Sequence, residues 1–225
     1  MKKILLSISF LATTFSFAQT HDLVWEKTGG STTFDIMRAI TTDNTGNTIT
    51  VGDFTGTADL DPSYLTQNFT SQGSSDIVIR KLNADGELVW VKVIGGPHGE
   101  NGNDITADNL GNVFITGTYR GEVDFDPGPN VFNYGNPSNT TATAYVVKLN
   151  SDGELVWVHD FGSESSAQGF EIDSDALGNV VLAGTFTGTI DVDPGSGVYN
   201  LSYNPGNPNF LGTYIVKLDV AGEFV

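Results

Sequence analysis

The alternation of apolar and polar positions divides the chain into short extended runs separated by Asp/Asn-Gly turns. "NDITAD" at 103–108 turns through "DNLGN" into "NVFITGTY" at 112–119, and a long polar stretch follows. "AYVVKLN" at 144–150 then turns through "SDGE" into "LVWVHDF" at 155–161. Runs rich in Val, Ile, Phe, Tyr and Thr, bounded by such turns, predict antiparallel hairpins. No segment longer than a turn has helical periodicity. "NVFITG" is apolar on both faces, which predicts strands sandwiched between neighbouring sheets.

The same four-strand pattern occurs three times, and the repetition decides the expected fold. The first turn is "DNTGN" at 43–47, "DNLGN" at 108–112 and "DALGN" at 175–179. A paired-acid segment follows as "GTADLDPS" (56–63), "GEVDFDPGPN" (121–130) and "GTIDVDPGSG" (188–197). The last landmark is "RKLNADGELVW" (80–90), "VKLNSDGELVW" (147–157) and "VKLDVAGEFV" (216–225). Trp25, Trp90 and Trp157 are spaced 65 and 67 residues apart. Four-stranded units in tandem predict an all-β protein, a β-propeller with antiparallel blades of about 66 residues. A β-solenoid has shorter coils without such mid-repeat loops.

The expected organisation is a leader at 1–18 and propeller repeats over 19–225, with blades at about 36–94, 103–161 and 168–225. "LVWEK" stands apart as an orphan fourth strand at about 23–28. Because "GEFV" stops where the pattern next calls for Trp, the chain is expected to be part of a longer, incomplete propeller. The orphan strand would then clasp a later blade. A clasped third blade is the alternative, although three blades fall below the roughly four to eight of closed propellers.

"KLNxDGELVW" followed by "DxxGNVxxTG" resembles the bacterial β-propeller repeat family called SBBP, from about residue 23 onward. The resemblance implies a propeller and a secreted or surface location, and supplies no catalytic residues. The N-terminus agrees with that location. Lys2 and Lys3, the apolar run Ile4 to Phe17 and Ser16-Phe17-Ala18 before the cleavage point are read as a secretory signal cleaved near Gln19. The apolar run is too short for a membrane span. Removing 1–18 takes away two lysines and no acids, so the net charge of −17 becomes −19. Such a surface argues against nucleic acid and anionic lipid as partners. With no cysteine in the chain, stability must come from core burial or bound ions.

The paired acids are the most specific chemical feature. On extended backbone Asp59 and Asp61, Asp124 and Asp126, and Asp191 and Asp193 point to one side, where a cation would relieve their repulsion. Calcium suits such oxygens but takes six to eight, and each loop offers only two carboxylates. Asp before Pro also serves a strand end, and a structural corner is the preferred reading. The repeated Trp is read as blade packing rather than sugar stacking. The repeated Lys81, Lys148 and Lys217 are read as strand-end lysines facing solvent or pairing with an Asp.

His98, Glu100, His159, Arg38 and Arg120 break the repeat but form no nucleophile–base pair, metal motif or phosphate loop. Asp104, Glu171 and Asp173 fall on innermost strands. No enzyme is expected within these residues. The leading reading is a secreted binding or scaffold module whose long loops meet an extracellular glycan, protein or matrix partner. Phe132, Tyr134, Tyr199 and Tyr203 are its candidate contacts. A hydrolase or lyase with its catalytic part beyond residue 225, and a calcium-stabilised adhesin, are the alternatives.

Overall fold

The computed structural model describes residues 23–63, 65–162, 166–203, 206 and 210–225. The leader at 1–18 lies outside them, as does Tyr64. In chain order the strands are β1 (Asp35–Thr42), β2 (Thr48–Phe54), β3 (Thr57–Asp59), β4 (Asn68–Thr70), β5 (Asp76–Leu82) and β6 (Leu88–Ile94). Then come β7 (Asn101–Ala107), β8 (Val113–Tyr119), β9 (Glu122–Asp124), β10 (Asn133–Gly135), β11 (Thr143–Leu149) and β12 (Leu155–Phe161). The last five are β13 (Ala167–Ser174), β14 (Val180–Phe186), β15 (Gly188–Asp191), β16 (Asn200–Tyr203) and β17 (Gly212–Leu218).

They form antiparallel sheets in the order β1-β2-β5-β6, β7-β8-β11-β12 and β13-β14-β17. These three sheets, termed blades 1 to 3, stack face to face. Blade 1 and blade 2 share one core, including Ile49, Val51, Ile77, Ile79, Ile105, Ile115 and Val147. Blade 2 and blade 3 share another, including Phe114, Val146, Phe161, Leu182, Tyr214 and Val216. The mid-repeat stretches are not plain loops. Each holds a two-stranded side hairpin, β3-β4, β9-β10 or β15-β16. Strands of three or four residues leave too little alternation for a sequence pattern to register.

Turn chemistry is local and repeats. Asp108 Oδ1 accepts the Leu110 and Asn112 amides at 2.8 and 3.0 Å, while Gly111 takes a φ of 78°. Asp43 and Asp175 hold their turns in the same way. Opposite a bulge in each first strand lies a glycine, Gly52, Gly117 or Gly184. A Cβ there would collide with the carbonyl oxygen of Ile36, Asn101 or Gln168. In blades 2 and 3 the same carbonyl accepts a buried tyrosine hydroxyl, Tyr145 to Asn101 and Tyr214 to Gln168, both at 3.2 Å.

Contacts across each junction are equally regular. Trp90 Nε1 and Lys81 Nζ of blade 1 both donate to Ser151 O in the second turn of blade 2, at 3.1 and 3.2 Å. Trp157 Nε1 and Lys148 Nζ of blade 2 donate to Val220 O in blade 3, at 3.5 and 3.0 Å. Lys81 is therefore buried, and it also pairs with Asp43 at 3.0 Å. Lys148 is buried over the Phe114 ring. Only Lys217, on the open face of blade 3, reaches solvent, with Asp175 at 3.4 Å.

Residues 23–28 form no strand. Trp25 nevertheless donates to Ala84 O at 3.1 Å and covers Gly86, as Trp90 covers Gly153 and Trp157 covers Gly222. The segment thus occupies the place of a preceding blade's outer strand without its sheet.

Gly117→Ala should cost about 3 kcal/mol, because the added methyl collides with the Asn101 carbonyl oxygen that accepts the Tyr145 hydroxyl. Urea denaturation should show a lower midpoint with an unchanged slope.

Candidate functional site at the blade rim

The paired acids sit where β3, β9 and β15 leave the blade. The residue between the two acids, Leu60, Phe125 or Val192, points inward and is buried. Alternation then turns both acids to the opposite side, over the loop, where Asp61 is itself buried. The first accepts the amide two residues on and the amide eight residues on. Asp124 Oδ1 takes Asp126 N at 3.1 Å and Phe132 N at 2.8 Å. Asp59 takes Asp61 N and Gln67 N, and Asp191 takes Asp193 N and Tyr199 N. The second acid accepts the amide two residues on, from Ser63, Gly128 or Gly195 at 2.7–2.9 Å. Each pair is a clamp that closes the loop onto its own strand. Like-charge repulsion is offset by amide donors. Asp124 and Asp126 also line a cleft of about 290 Å³ with Asp76, but Asp76 already accepts the Gln72 and Gly73 amides. Among the described residues no group of three or more His, Cys, Asp or Glu could hold a metal.

The clamps present the aromatic side chains. Phe132, 46% exposed, lies nearly parallel to Tyr134, with ring centroids 6.3 Å apart and planes 14° apart. Tyr134 is held edge-on to the buried Phe125. Tyr199, at the place of Phe132 in blade 3, is exposed and leans on Phe224 at 5.2 Å. Tyr203 borders a separate cleft of about 400 Å³ with Phe186, Leu201, Leu211 and Thr213. Phe132 and Tyr134 therefore share one surface, Tyr199 stands on the next rim, and Tyr203 belongs to another cleft. Phe224 and Leu211 were not among the candidates. Phe224 could have been found by its match to Leu88 and Leu155 in the repeat.

Of the residues that break the repeat, His98 lies against Gly121, next to Arg120, and the Arg120 charge acts on Glu100. Arg38 pairs with Asp53, and Asp104 accepts the Ile172 amide at 2.8 Å. His159 takes the place of Lys92 and lies against Trp157 and Gly222. Glu100 is fully buried and accepts the Gly96 amide at 3.0 Å. Burial pushes its carboxyl up from 4.5 to about 7, opposed by the Gly96 amide, reinforced by Asp76 and opposed by Arg120.

These features lie in a chain whose repeat has relatives. Residues 89–118 match the SBBP family model, described as a Beta-propeller repeat. The match runs from β6 through the junction into β8. An uncharacterized WD repeat-containing protein, L264, of Acanthamoeba polyphaga mimivirus is 25% identical over 118 residues, 47% of this chain. The aligned part is 8% of that protein, so this chain spans a small fraction of its relative.

Asp124→Ala should cost about 1–3 kcal/mol by leaving two loop amides without their acceptor, and Asp124→Asn, which keeps an oxygen there, should cost less. Thermal melts of both variants and of the parent protein should be the same with and without a chelator.

A second expectation concerns pH. Glu100 holds its proton more tightly folded than unfolded, so its contribution to stability is full below about 4.5 and is lost as pH rises through about 7. Denaturation across that window should show Glu100→Gln losing less stability with rising pH than the parent protein.

Proposed function

We propose that this chain is a secreted, non-enzymatic β-propeller repeat module that binds or scaffolds an extracellular glycan or protein through the rims of its blades. The observation that carries this reading is Phe132, an exposed ring held flat against Tyr134 on a hairpin clamped by Asp124 and Asp126. A fixed, exposed aromatic face binds a sugar ring or an apolar side chain without first being ordered. Tyr199 offers a second such face on the neighbouring blade.

The leader supports an extracellular site, and the net charge of −17 supports a partner other than nucleic acid. The absence of a helix long and apolar enough to cross a membrane, among the described residues, is compatible with this reading. Support for a non-enzymatic role comes from how the residues that break the repeat are held. His159 and Arg38 are taken up in packing or pairing, and Glu100 is sealed from solvent.

The test is binding of the soluble repeats to a glycan array and to immobilised extracellular extract. Phe132→Ala with Tyr199→Ala should weaken any captured partner by roughly tenfold or more while leaving the melting temperature close to that of the parent. Failure to bind any glycan or extract component would overturn the reading. Mass measurement of the exported protein should place its first residue at Gln19.

A further inference from the structure

Blade 1 passes into blade 2 through residues 95–100, and this linker is docked on the head of β5. Ser74 N donates to His98 O at 2.7 Å, and Glu100 N donates to Ser75 O at 3.0 Å. Ser75 Oγ adds a bond to Glu100 O at 3.2 Å. The other end of the linker holds the corner of blade 2, where Asp124 N donates to Gly95 O at 3.3 Å. Gly96 packs so closely that a Cβ there would lie 2.7 Å from Glu122 O. One short segment therefore touches blade 1 and the strand that carries the first acid of the blade 2 clamp.

Two fully buried carboxyls, Asp76 and Glu100, lie at this linker. Asp76 accepts the Gln72 and Gly73 amides, donors that favour its charged form. Glu100 Oε2 accepts the Gly96 amide at 3.0 Å, whereas its Oε1 is buried without a partner. A neutral carboxyl suits that position better than a carboxylate, because an ionised oxygen with no donor leaves a buried charge uncompensated. The surroundings do little to relieve it. Asp76 repels the charge, and Arg120 opposes that effect. Tyr145 feels both Glu100 and Asp53, but its hydroxyl donates to Asn101 O, and Asp53 is paired with Arg38. His98, on the linker itself, lies against Gly121. The fold does not require these acids. At the junction of blades 2 and 3 Ala167 N makes the matching bond to Ala142 O at 2.9 Å, with Ala167 in the place of Glu100 and Thr143 in that of Asp76.

We propose that the linker is a pH-operated latch, closed while Glu100 holds its proton beside the Asp76 carboxylate and opened when that proton leaves. Opening breaks the Gly96 hydrogen bond and frees Gly95 from Asp124, so the corner that presents Phe132 loosens. Burial fixes the direction. Glu100 binds its proton more tightly in the closed latch than in the open one. Closure is therefore fully favoured below about 4.5 and is lost as pH rises through about 7. The rim of blade 2 is stiff in acid and loose in mildly alkaline solution, whether or not it binds a partner.

Amide hydrogen exchange of the soluble repeats reads the latch directly, and Ala167, which makes the same bond without an acid, is the internal reference. Between about pH 5 and about pH 8, after correction for intrinsic exchange, protection of the Gly96, Glu100 and Asp124 amides should fall roughly tenfold or more. That of Ala167 should hold. This comparison is made in the unsubstituted protein and needs no variant. Glu100→Gln, which keeps an oxygen for the Gly96 amide, should remove the pH dependence while leaving the circular dichroism spectrum unchanged. Equal protection of the linker at the two pH values, a fall shared by Ala167, or the same fall in Glu100→Gln would each overturn the proposal.

Discussion

A single carbonyl oxygen in the second turn of each blade holds the stack together. Ser151 O and Val220 O each accept an indole N–H and a lysine ammonium from the preceding blade. A four-stranded sheet cannot bury both of its faces alone, so each repeat gains a core only when its neighbour is docked in register. The apolar faces would tolerate sliding, but the two directional donors would not. Burying Lys81 would be unfavourable without partners, and Asp43 with Ser151 O supplies them. That pairing ties the first turn of blade 1 to the second turn of blade 2, so docking and hairpin geometry depend on each other. Burial opposes ionisation of Asp43, yet hydrogen bonds from Asn47, Thr45 and Lys81 hold its carboxyl far below the usual carboxylate range.

From this frame the rim is built outward with little freedom. Phe125 anchors the corner from inside while Asp124 and Asp126 close the loop from outside, so one three-residue stretch serves both the core and the loop. The clamp leaves the intervening residues free to differ. Blade 2 places Phe132 where blade 3 places Tyr199 and blade 1 places Gln67, and all three donate their amide to the first acid of the pair. A repeated backbone solution with a varied side chain is what a binding surface on a rigid scaffold requires. The chain has no disulfide to stiffen these loops, and the amide clamps do that work.

Much of this was legible in the residues because it is local. Asp108 and Gly111 determine a hairpin within five positions, so three copies of the turn mark three blades wherever they sit. The corner reading of Asp124 and Asp126 follows similarly, since one acceptor lies two residues from its donor. The aromatic candidates were legible only as a set. Whether Phe132 and Tyr134 stack or Tyr199 leans on Phe224 depends on side-hairpin register, which strands of three or four residues do not advertise.

The sequence by itself determined the repeat, the antiparallel hairpins, the absence of helix and the positions of the corners. Each of these follows from side chains acting on backbone a few residues away. Tertiary structure alone decided the fate of residues that look identical in the repeat. Lys81 and Lys148 are buried and Lys217 is not; Ile79 is buried and Ile215 is not. The strand patterns around them are nearly the same. The difference lies in whether another blade, about 70 residues away for Lys81 and Ser151, is present to cover them. Exposure of a repeated residue is a property of its neighbour in the stack, and no local pattern encodes that neighbour.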